Sequence, residues 1–138
     1  MENLLIIVNS GPEAAYVVAF MAKQLVKVER VTIFYGPQGV RMAKRGTLAG
    51  FKIEESVKRL IADQLDGVSA AALPDDLEGL ARYLKGIGVE IASCGTFHVI
   101  DNFAEKVEDT SGIEDFITPL KLPQAAEAPM EADKILYY

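Results

Sequence analysis

At 138 residues, half of them apolar, the chain is long enough to bury one ordinary core without metals or crosslinks, so a single domain over residues 1–138 is expected. The formal charge of −6 disfavours a general nucleic-acid or anionic-membrane binder, since both need a broad cationic surface. With Cys94 as the one cysteine, no disulfide closes within the chain and no Cys/His cluster has zinc spacing; no metal or cofactor is expected, and a reducing, cytoplasmic setting is the simplest.

The opening MENLLIIVNSGPEAA is apolar only from Leu4 to Val8 and lacks a basic lead, so it does not read as a signal peptide, and no run of eighteen or more apolar residues follows to span a bilayer. Leu4 to Val8 instead reads as a central parallel strand buried on both faces, stopped by Asn9, Ser10, Gly11 and Pro12. Ala14, Val17, Val18, Met21 and Leu25 then recur at helical spacing, with Ser10 as the expected cap and Pro12 in the first turn. Val31 to Tyr35 is the second strand, ended by Gly36, Pro37 and Gly39.

Val40 to Ile53 carries Arg41, Lys44 and Arg45 but is interrupted by Gly46 and Gly50, so a mobile excursion is expected there. Ser56 to Leu65 regains helical spacing, with Gly67 as its stop, and Ser69 to Leu73 is assigned as a third strand. Asp75 and Glu78 form a capping-box start for a helix with Leu77, Leu80, Ala81, Leu84 and Ile87 on one face. Gly88 ends it, and Val89 to Ser93 is a short strand that delivers Cys94 to its carboxyl end. Phe97, Ile100 and Ala104 predict a helix to about Val107, Glu108 to Gly112 a polar loop, and Ile113 to Ile117 another strand. Pro119, Pro123 and Pro129 break the next stretch into a loop and a short helix before a terminal strand from Lys134 to Tyr138.

Alternating strands and helices imply an α/β fold with a mainly parallel sheet, and right-handed crossovers gather the strand-to-helix loops at one edge, where ligands bind. The ligand-binding candidates are Asn9, Ser10 and Gly11 in the first loop, Gly36, Gly39 and Arg41 in the second, and Gly95 and Thr96 beside Cys94. A cysteine that opens a helix faces free N–H groups and the positive end of the dipole, which favour thiolate. His98, four residues on, stands over the same helical face if the turn forms, which makes Cys94 and His98 the catalytic candidates. The plainer alternatives are a small buried cysteine, a packing histidine, and a solvated Arg41, Lys44 and Arg45. The loop NSGPEAA lacks GxGxxG spacing and there is no P-loop lysine, which argues against a nucleotide.

GVEIASCGTFH, spanning Gly88 to His98, resembles the strand and cysteine segment of the DsrE/DsrF-like sulfur-relay family. LLIIVNSGPEAA resembles that family's first strand and loop, and EADKILYY its closing segment, whereas Val40 to Ile53 and Pro119 to Pro129 match it less. The resemblance implies a three-layer α/β/α fold with five strands, assembly into homotrimers or hexamers, and a cysteine at position 94 that carries persulfide sulfur between donor and acceptor proteins. Two functions therefore stand at this point: a sulfur carrier or sulfurtransferase subunit working through Cys94, and a non-catalytic oligomeric module whose edge binds a small anion or a partner protein.

Overall fold

The computed structural model describes residues 2–138. The apolar runs become the strands β1 (Asn3–Val8), β2 (Arg30–Tyr35) and β3 (Glu90–Cys94), joined by β4 (Thr118–Leu120) and β5 (Lys134–Tyr137) in one all-parallel sheet ordered β4-β3-β2-β1-β5. The helices are α1 (Pro12–Met21), α2 (Glu55–Asp63), α3 (Leu77–Gly86), α4 (Gly95–Ile100) and α5 (Leu122–Glu131). From β1 to β4 the chain steps one way across the sheet, and α5 carries it back to β5. Right-handed crossovers therefore put α5 on the face opposite α1 and α3, which gives the expected three layers.

Period-two alternation divides the strand residues between two unequal cores. Leu4, Ile6, Val8, Val31, Ile33, Tyr35 and Ile91 join Ala15, Tyr16, Ala19 and Phe20 of α1 and Leu77, Leu80, Ala81 and Leu84 of α3 in the larger one. The smaller holds Leu5, Phe34, Val40, Ala92 and Cys94, with Ala125 and Ala128 of α5 packed on it. The alanine face lets α5 approach closely, yet none of its own residues is buried.

Several local expectations are corrected. Ser10 does not cap α1; Gly11 is the N-cap residue, and the Ser10 amide is used elsewhere. Past Met21 the helix widens into a π turn over Ala22–Val26, which rotates Leu25 out of register and leaves it 55% exposed. Val40 to Ile53 is pinned: it forms two 3-10 turns, buries Val40, Ala43 and Leu48, and ties Arg45 N to Gly112 O at 2.9 Å and Ile53 N to Asp75 O at 2.8 Å. Ser69 to Leu73 is no strand, because the Ser69 side chain accepts from Ala71 N and winds the alanines into a 3-10 turn. Asp76, one residue past the expected Asp75, caps α3 through Gly79 N at 2.8 Å.

The longest misreading follows Cys94. Helix α4 stops at Ile100, well short of Val107, with Asn102 in the left-handed region at φ 65°. Ile113 to Ile117 is not a strand either; Ile113 makes one antiparallel bridge to Lys44, and the chain enters the sheet only at Thr118. Pro119 lies inside β4, an edge strand, where its missing N–H breaks no ladder. Pro123 sits in the first turn of α5, and Pro129 is accommodated within that helix. No helix among the described residues is long and apolar enough to cross a membrane.

Beneath the carboxyl edge the larger core encloses a pair of hydroxyls. The Tyr16 and Tyr35 hydroxyls hydrogen-bond to each other in full burial, and burial raises both phenol pKa values above the usual range. Removing one hydroxyl strands the other. Tyr16→Phe and Tyr35→Phe are each expected to cost about 1–2 kcal/mol, and the double variant clearly less than their sum, in a denaturation double-mutant cycle.

Glu114, 2% exposed, accepts a hydrogen bond from Gly46 N at 2.9 Å through Oε1, while Oε2 has no partner among the described residues. Burial and the neighbouring Glu78 carboxyl raise its pKa, so between the ordinary glutamate pKa and the folded value the folded chain keeps a proton there that the unfolded chain loses. Stability from this group is therefore present below the ordinary glutamate pKa and falls as pH rises through the folded value. Glu114→Gln is expected to raise the melting temperature at pH 8 and to leave it nearly unchanged at pH 4, which a pair of thermal melts checks.

Candidate functional site

The three strand-to-helix loops do converge at the carboxyl edge. Gly36 N donates to Val8 O at 3.1 Å, joining the second loop to the end of β1, and the Arg41 guanidinium lies 3.8 Å from the Asp101 carboxylate just beyond α4. Most of the polar groups gathered there are committed to holding the chain together.

In the first loop, Asn9 N and Ser10 N both donate to the carbonyl oxygen of Tyr138, at 2.7 and 3.1 Å, and Tyr138 N donates to Ile7 O at 2.9 Å. Gly11 faces the backbone of Tyr138: a Cβ built there would lie 3.5 Å from its carbonyl carbon. The amides expected to receive an anion thus hold the terminal segment. Asn9 Oδ1 is buried with no hydrogen-bond partner among the described residues, and a Cβ on Gly36 would lie 2.6 Å from it.

In the second loop, Gly39 is a close-approach residue. Its φ of −104° is open to any amino acid, but a Cβ would fall against the Val8 carbonyl and lie 3.1 Å from the Asn9 Cα. Gly39 is therefore a glycine because backbone crosses backbone here, and Gly36 because the Asn9 side chain fills the space a Cβ would take. Arg41 is 81% exposed and stands on the rim beside Asp101.

In the third loop Cys94 ends β3 and is the N-cap residue of α4, but its side chain is 3% exposed. It lies in the smaller core among Leu5, Phe34, Val40 and Ala92, with Phe97, Leu120 and Ala125 against that layer. Gly95, also buried, is pressed on the 103–112 loop, where a Cβ would lie 2.6 Å from Val107 O; Thr96 is half-buried.

His98 is wholly buried, but on the opposite side of β3. Ser93 and Cys94 are successive strand residues and point to opposite faces, and it is Ser93 Oγ that hydrogen-bonds His98 Nε2, at 2.6 Å. Nδ1 has no partner among the described residues, and the ring packs on Phe103 with centroids 5.0 Å apart. The pairing of His98 with the Cys94 thiolate is thus replaced by a Ser93–His98 pair. Burial lowers the His98 pKa against the opposing pull of Asp101, so the ring is neutral near neutral pH.

Ser93, Glu114 and the two tyrosines are the polar groups the sequence reading missed. A serine near the end of the third strand, five residues before the only histidine, was the available signal; nothing local marks Glu114, whose hydrogen-bond partner Gly46 lies far along the chain. Among the described residues no group of three or more His, Cys, Asp or Glu side chains is placed to hold a metal ion.

No protein-family model matches the sequence, and no curated protein matches it. Among solved structures, the ychN protein from E. coli, a DsrE-like fold, is similar over 100% of both chains with a TM-score of 0.64 and 16% identity. At that identity the likeness speaks to architecture: this chain has the five-stranded, three-layer α/β fold of the DsrE-like type.

Proposed function

We propose that the chain is a non-catalytic binding subunit built on the DsrE-like fold, whose carboxyl edge engages a partner protein. The observation that carries this reading is the Cys94 side chain, 3% exposed within an apolar layer while the one histidine is bonded to Ser93 on the other face. A thiolate nucleophile needs solvent access, and this sulfur lacks it. A partner protein is favoured over a small anion because the Asn9 and Ser10 amides already serve Tyr138, whereas the rim offers exposed Arg41 and, beside its ion-pair partner Asp101, exposed Ile100. Assembly into trimers or hexamers, implied by the resemblance, belongs to the proposal.

A sulfur carrier is the second reading, favoured by the thin cover over Cys94: α5 packs there through alanines and buries none of its residues. If α5 lifts, the Cys94 thiolate attacks the sulfane sulfur of a donor persulfide, the S–S bond breaks, and the donor thiolate leaves. Incubation with a persulfide donor followed by intact-mass measurement separates the two. The binding-subunit reading expects no added sulfur on wild type; sulfur gained by wild type and not by Cys94→Ser overturns it in favour of the carrier.

A further inference from the structure

Helix α2 is amphipathic but poorly seated. Of its nine residues only Lys58 is buried, while Val57 and Leu60 are 42% and 63% exposed. Beneath it lies a cavity of about 260 Å³ with a floor of Val17, Ile53, Ile61 and Leu77. This is on the α1 and α3 face, across the sheet from Cys94. Val57 and Ile61 of α2 line this hollow, which opens to solvent, and a guest of the right size would fill it.

The mouth carries both signs of charge. Lys52 lines it, with Nζ 3.7 Å from the Asp76 carboxylate, too far for a direct hydrogen bond. Glu13, in the first turn of α1, and Glu54, the N-cap residue of α2, also line it. Both complement helix dipoles, yet neither makes a side-chain hydrogen bond or ion pair among the described residues. A plain cation would meet Lys52 and a plain anion would meet two carboxylates. One chemistry satisfies both signs above an apolar hollow of this size.

We propose that this cavity binds a large apolar α-amino acid as its zwitterion, with the side chain on the Val17, Ile53, Ile61 and Leu77 floor, the carboxylate at Lys52 and the ammonium at Glu13 and Glu54. The site is separate from the edge discussed above and stands or falls apart from it.

The test is a backbone-amide NMR titration of the full chain with L-leucine and L-phenylalanine, alongside phenethylamine and 3-phenylpropionate. Each of the last two keeps the apolar group and one charge. The expected result is saturable shifts at Val17, Ile53, Ile61 and Leu77 with the amino acids at millimolar concentration and weaker binding, by roughly 10-fold, for each single-charge analogue. Lys52→Gln and Glu54→Gln, both changes of side chains at the cavity mouth, should each weaken the amino acids by about the same factor. Absence of saturable shifts, shifts at other residues, or either analogue binding as tightly as the amino acids would overturn the proposal.

Discussion

Replacing Gly39 with alanine is expected to destabilise the fold by about 3 kcal/mol or more, or to prevent folding. The added methyl would collide with the Val8 carbonyl and the Asn9 Cα, and neither is the free end of a flexible side chain. Both belong to the backbone at the carboxyl end of β1, where Val8 O already accepts from Gly36 N. Relief would require moving the second loop off the end of β1. Gly50→Ala is the matching control: nothing lies within 4 Å of a Cβ there, so a change within about 0.5 kcal/mol is expected. Chemical denaturation of the two variants checks the contrast. Near-wild-type stability of Gly39→Ala would return that loop to the list of ligand-binding candidates.

Cys94→Lys is expected to have a comparable effect, a loss of about 3–5 kcal/mol at neutral pH, because it places an ammonium in an apolar layer at the positive end of α4. Cys94→Ala removes one buried sulfur and should cost about 1 kcal/mol. An exposed, functional cysteine would tolerate lysine with little change. The ratio of the two losses, measured by urea denaturation, therefore reports on the surroundings of position 94 without any assay of activity.

The architecture was legible because β1 carries a continuous apolar run and β2 is largely β-branched and aromatic, and strands buried on both faces leave such marks in the sequence. The stripe Leu77, Leu80, Ala81 and Leu84 gave α3 in the same way. What misled was local chemistry overruled by distant partners. Ile113 to Ile117 has the composition of a strand, but Ile113 and Glu114 are fixed by Lys44, Ala43 and Gly46 from the second loop. Pro119 looked like a break because edge placement cannot be known before the strand order is. The site failed for another reason. Spacing put His98 four residues after Cys94, which brings two helical side chains together, but Cys94 is the last residue of a strand and only His98 is helical. Strand alternation then sends Ser93, not Cys94, toward the imidazole.

Alkylation of Cys94 by a small neutral reagent, followed by intact mass in the native state and in urea, tests most directly whether the thiol is shut beneath α5. The native chain should react roughly 1,000-fold more slowly than the unfolded chain, the signature of a group reached only through local opening. Equal rates in the two states would show an open thiol and contradict the account.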